Sequence, residues 1–162
     1  MSVEEKVKKI VEQMGVTYLF ENWQTANVKL DKMQLPAIMY VLPASGNLNV
    51  GKMQMKDFPN CMIAFMDKTK LDFDGSENDV VLEHCKSLAK EFILNVNRSG
   101  MFETVEGDIP YSVFYDKLNV NVTGIVIQIP LKETRGLVTC STKSVKEIVY
   151  GFTYKNCIRK IC

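Results

Sequence analysis

The residues best equipped for chemistry stand in four places, and each falls short of the reaction its spacing suggests. Gly46-Asn-Leu-Asn-Val-Gly51-Lys52-Met53 follows the phosphate-binding loop pattern through its lysine. That loop needs Ser or Thr next, to hold magnesium, and a helix after it. Here Met53 comes next, followed by alternating methionines and Pro59, which reads as a β-turn with an incidental lysine. Asp72-Phe-Asp74-Gly75-Ser76, with Glu83 eleven residues after Asp72, has the rough spacing of a calcium loop. Its sixth position, where glycine is required, is Glu77, and its eighth, normally apolar, is Asp79. Carboxylates so placed suit the start of a helix, where they favour the macrodipole.

His84 is the sole histidine and stands beside Cys85. Neighbours on a helix point about a third of a turn apart and do not pair. The pair therefore reads as a structural thiol on an apolar stripe next to a half-buried imidazole. Cys157 and Cys162 lack a second pair to complete the four ligands of zinc. The Gly-x-Ser-x-Gly elbow and the Rossmann glycine fingerprint are both missing from the sequence. These residues predict no catalytic centre, no cofactor and no metal.

Composition sets the frame. The 162 residues are 46% hydrophobic and 24% charged, with a net charge of +1, as expected for one globular domain with a sizeable core. The charge is unevenly placed. Residues 1–134 hold 14 Lys and Arg against 18 Asp and Glu, whereas residues 135–162 hold 6 against 1. An acidic body with a basic tail suggests self-complementary contact, or a tail that meets phosphate or an acidic partner. The N-terminus lacks the apolar core of a signal peptide, and the longest apolar runs, Ala37–Leu42 and Cys61–Met66, are too short to span a bilayer. The five cysteines are irregularly spaced, which suits reduced thiols in a cytoplasm. The nine methionines read as core filling.

The elements that must position these residues follow from periodicity. Ser2 and Glu5 form a capping-box pair, and Val3, Val7, Ile10, Val11 and Met14 share one helical face that Gly15 closes. Thr17–Ala26 fits helix or strand. Ala37–Leu42, fenced by Pro36 and Pro43, reads as a buried strand, Ala44–Asn47 as a turn, and Cys61–Met66 as a second strand after Pro59. Such continuous apolar runs need cover on both faces. From Ser76, the residues Val80, Val81, His84, Cys85, Leu88, Ala89, Phe92, Ile93 and Val96 make a broad stripe on a long helix closed by Asn97–Gly100. Phe102–Val105 fits a short strand and Tyr111–Tyr115 a longer one. Asp116 and Lys117 then turn into a strand running to Ile129. In that strand Leu118, Val120 and Val122 keep one parity while Ile125, Ile127 and Ile129 keep the other, which predicts a bulge at Gly124. Beyond Arg135, Ile148, Tyr150, Phe152 and Tyr154 alternate as one more strand, able to complete its own sheet or extend a neighbour's.

The expected fold is α+β: a mainly antiparallel sheet packed against one long helix and an N-terminal helix, with a C-terminal β extension. Residues 1–134 form the core domain and residues 135–162 a basic extension.

This order of elements resembles the tail-terminator and neck (head–tail joining) proteins of tailed bacteriophages. The resemblance is carried by Cys61-Met-Ile-Ala-Phe-Met66, the acidic turn Leu71-Asp-Phe-Asp-Gly75 and the helix Val80–Val96. Tyr115-Asp116 and Asn119-Val-Asn-Val-Thr-Gly124-Ile-Val-Ile complete it. The methionine- and asparagine-rich style also resembles proteins of crAss-like and related phages of gut Bacteroidetes. The resemblance implies a homo-oligomeric ring, six copies favoured, placed in the virion after assembly in the host cytoplasm. Such a ring touches other neck, tail or portal proteins, passes DNA through its channel without reading sequence, and meets no membrane. The expected interface residues are Asp72, Asp74 and Asp79 on the acidic side. On the tail they are Lys143, Lys146, Tyr150, Phe152, Tyr154, Lys155, Arg159 and Lys160. The alternative is a non-enzymatic adaptor that holds a protein partner or nucleic acid through the same basic tail.

Overall fold

The structure, a computed structural model, describes residues 1–51, 54–70, 75–135 and 137–138. Helix α1 spans Val3–Gln13 and opens with the capping box: Ser2 Oγ accepts from the Glu5 amide at 3.1 Å, and the Glu5 carboxylate accepts from the Ser2 amide at 2.6 Å. Its apolar residues Val3, Val7, Ile10 and Val11 are buried. Strand β1 covers Thr17–Glu21 and helix α2 Trp23–Lys29, which divides the ambiguous stretch between both states. Asn22 makes the break by capping α2, its side chain accepting from the Thr25 amide at 2.9 Å.

Strands β2, Ala37–Val50, and β3, Gln54–Lys68, make one long hairpin. The long helix α3 spans Gly75–Arg98. Strand β4 covers Tyr111–Lys117, β5 Val122–Pro130 and β6 Leu137–Val138. The sheet order is β1-β2-β3-β5-β4, with β6 beside the far end of β3. Among the described residues, only β1 and β2, joined through α2, run parallel. The other pairings are antiparallel, so the fold is α+β.

Both faces of the sheet are covered, as the continuous apolar strands require. On one face α1 and α3 bury Val7, Ile10, Phe92 and Val96 against Ile38, Ile63, Phe65, Ile125 and Ile127. Phe65 and Phe92 meet edge to face at 5.7 Å. On the other face Ala26 and Leu30 cover Leu19, Met39, Val41, Ala64, Met66 and Val122.

Several expectations are corrected. Ala44–Asn47 is strand rather than turn, because β2 pairs with β3 out to Val50↔Met55, after an irregularity between Val41 and Ser45 next to Pro43. Pro59 does not end β3. Its carbonyl accepts from the Leu131 amide at 3.0 Å. A strand residue points both backbone groups the same way, so the missing donor of Pro59 falls on the side where β5 has just ended.

The expected bulge at Gly124 is also absent. β3 and β5 keep one register from Lys68↔Val122 to Asn60↔Pro130. The parity change has another cause: Leu118, Val120 and Val122 pack on the α2 face, and the three isoleucines pack on the α1–α3 face. The irregularity lies across the ladder in β4, between Phe114 and Lys117, where Asp116 has φ 45°. Residues 118–121 form the turn, with positive φ at Leu118 and Asn121, and strand resumes only at Val122. Phe102–Val105 contributes a single bridge, Phe102 to Glu133. On α3, Val80 and His84 leave the stripe and are exposed. The buried line runs through Leu82, Cys85, Ala89, Phe92 and Val96, and Val80 lies about half a turn from it.

Candidate functional site

The residues that suggested chemistry are spread apart or closed in. Cys85 is buried, with Sγ 3.8 Å from the Thr123 carbonyl, and burial pushes its thiol up to about 12. Cys61 is buried too, donating to the Tyr40 hydroxyl at 3.1 Å, and burial raises it to about 11. Thiols so placed are protonated and poor nucleophiles at neutral pH. The His84 ring turns away from Cys85 to the exposed side of α3, where Nδ1 lies 2.9 Å from Asp67 Oδ2. Among the described residues, no group of three His, Cys, Asp or Glu side chains could hold a metal ion.

The segment with the phosphate-loop pattern is the distal half of the β2–β3 hairpin. Gly46 is glycine because it faces Pro59: a Cβ there would lie 2.6 Å from Pro59 Cα. The Gly51 amide donates to the Gln54 carbonyl at 2.9 Å, closing the turn, so it is spent inside the hairpin rather than offered to a phosphate. In the segment with calcium-loop spacing, Glu83 pairs with Lys86 at 2.7 Å. The neighbouring ammonium holds that carboxyl below its ordinary value.

The expected interface residues are only partly placed. Asp79 is exposed on the second turn of α3. Asp72, Asp74, Lys143, Lys146, Tyr150, Phe152, Tyr154, Lys155, Arg159 and Lys160 lie outside the described residues.

Two surfaces that periodicity did not single out stand out instead. The first is the hairpin arm. β2 is buried from Ala37 to Val41 but exposed from Ala44 to Val50, where it has passed the end of β1 at Glu21↔Val41. Six to seven residues of extended chain carry it about 20 Å. Leu48 and Val50, 72% and 71% exposed, stand on one side of the arm at its end. The base of the arm is fixed by a buried ion pair. Lys6 of α1 donates to Glu133 Oε1, while Glu133 Oε2 accepts from the Asp57 amide at 2.9 Å. The second surface is β4, the outermost strand, where Tyr111, Val113 and Tyr115 are exposed. The alternating apolar residues in both strands were visible in the sequence. Their position at the rim of the sheet was not.

No known family, curated protein or solved structure matches the chain.

Proposed function

We propose that the chain is a structural virion subunit that closes into a homo-oligomeric ring in the neck or tail of a tailed phage. The ring joins head to tail or terminates the tail tube, leaves a channel for DNA, and contacts neighbouring neck, tail or portal proteins. One observation carries this reading: the fold extends a hairpin arm past the end of β1 and ends it in exposed Leu48 and Val50. An arm of this kind meets a surface elsewhere, and a head-to-tail ring joins two different patches of one subunit in this way. Opposite charge on body and tail serves the same geometry. The buried, protonated thiols and the spent amide of the hairpin turn agree with a role in assembly rather than catalysis.

Light scattering of the purified protein under reducing conditions, with negative-stain imaging, tests the proposal. The expected species is a closed ring, six times the 18.4 kDa chain mass, that dissociates when Leu48 and Val50 are both replaced by serine. A strict monomer at all concentrations would refute self-assembly. Salt-sensitive DNA affinity in its place would favour the adaptor.

A further inference from the structure

β4 pairs with β5 on one side, and no described residue pairs with its other side. Natural edge strands are usually guarded by charge, proline or a bulge. Residues 111–115, Tyr-Ser-Val-Phe-Tyr, carry no charge, and the irregularity begins only after Phe114, at residues 115–116. The Pro110 carbonyl accepts from the Gln128 amide. Backbone groups alternate along a strand, so Ser112 and Phe114 bond toward β5 while Tyr111 and Val113 direct theirs to the open side. Tyr111 and Val113 stand opposite Ile127 and Ile125 on the α3 face of the sheet, 53% and 39% exposed. The approach is acidic: Glu106 and Asp108, both exposed, lead into the strand, which ends in the exposed pair Asp116 and Lys117.

The same chain carries a segment whose sequence pattern suits this edge. Residues 147–155, Glu-Ile-Val-Tyr-Gly-Phe-Thr-Tyr-Lys, alternate apolar and small or polar side chains and are flanked by Lys143, Lys146, Arg159 and Lys160. Reach limits which copy can supply it in the antiparallel sense. β6 runs beside Gln54 and Met55, toward the hairpin end and away from β4. An antiparallel partner for β4 would start near Lys117, which is level with Val122 and Lys68. From Met55 to Lys68 along β3 is about 43 Å. The nine residues 139–147 span at most about 32 Å when fully extended. Antiparallel addition within one chain is out of reach, whereas a neighbour has no such limit.

We propose that residues 147–155 of one copy add as an antiparallel strand to the open edge of β4 in the next copy. This rests on the ring reading only in that the exchange repeats around a closed circle. Backbone hydrogen bonds supply affinity, and the basic flanks against the acidic approach set direction.

The test uses three full-length proteins. Val113→Pro removes an outward amide and leaves the bonds to β5, blocking the acceptor; Val113→Lys repeats the block without touching the backbone. Tyr150→Pro with Thr153→Pro, positions that bond toward opposite sides, blocks the donor. Thermal melting and circular dichroism check that each variant is folded. Each blocked protein is expected to be monomeric alone, and the acceptor-blocked and donor-blocked proteins mixed in equal amounts should form a 1:1 pair through the one intact junction. Blocked variants that still assemble like the wild type overturn the exchange and leave the ring standing. A mixture that stays monomeric also overturns it. Wild-type open chains with the same pattern of loss and pairing support the exchange and refute the closed ring.

Discussion

Replacing Gly124 with alanine tests the tightest point of the sheet. A Cβ at this position would lie 2.0 Å from the Phe65 carbonyl oxygen, 2.9 Å from Met66 Cα and 3.0 Å from Phe114 Cζ. Comfortable contact needs about 3.5 Å. The Phe114 ring can rotate away, but the other two atoms belong to the backbone of β3 and are fixed by pairing on both sides. Relief therefore requires β3 and β5 to part by more than an ångström at Met66↔Gly124. Overpacking of this kind costs about 1–3 kcal/mol. Stretching or losing one or two ladder hydrogen bonds adds about 1 kcal/mol each. The expected destabilisation is about 2–5 kcal/mol, a large share of the 5–15 kcal/mol typical of a domain. Urea unfolding followed by the fluorescence of Trp23, the sole tryptophan, measures it, because its ring packs edge to face on Phe114 at 5.4 Å. Gly75→Ala is the control: among the described residues nothing lies within 4 Å of its added Cβ at the start of α3, and it should be neutral or stabilising by up to about 1 kcal/mol. A Gly124→Ala cost below about 1 kcal/mol would refute the pairing of β3 with β5 in this register.

Three further outcomes follow. Glu133→Gln leaves the Lys6 ammonium, whose side chain is 10% exposed, without its counter-charge and should cost about 3 kcal/mol. Adding Lys6→Met should recover part of that loss in urea unfolding, and strictly additive effects would show that the pair does not interact. Burial, then the charge of Glu133, raises the Asp57 carboxyl above its ordinary value. A carboxyl raised in the folded state makes stability fall as pH climbs from its unfolded value, near 3.8, through the higher folded one. Asp57→Asn should flatten that part of the stability–pH curve, and an unchanged slope would refute the assignment. Finally, of five cysteines, the two with thiols raised to about 11 and 12, Cys61 and Cys85, are buried. Native protein should therefore show at most three fast thiols with a colorimetric disulfide reagent and five when unfolded. Rapid reaction of Cys61 or Cys85 in the native protein would contradict the core.

How much was legible depended on the range of the forces involved. The Ser2–Glu5 capping box and the faces of α1 and α3 lie within a few residues of themselves, so spacing alone placed them. The hairpin was misread because Pro43, Ala44–Asn47 and Pro59 are turn signals locally. They were overridden by pairing between residues up to some fifteen positions apart, with Gly46 admitting Pro59. The parity change around Gly124 was visible, but a bulge and a two-faced sheet write the same pattern. Only the placement of α2 opposite α1 and α3 separates them.

The sequence by itself determined the α+β class, the two amphipathic helices, the apolar strands and the unequal division of charge, because periodicity and composition are properties of the chain alone. Tertiary structure decided that the phosphate-like loop is a projecting hairpin and that Cys85 is sealed in the core while His84 turns outward to Asp67. It also decided that Tyr111 and Val113 stand on an open edge. A strand carries the same alternation at the centre of a sheet as at its rim, and only the presence or absence of a neighbour across its backbone tells the two apart.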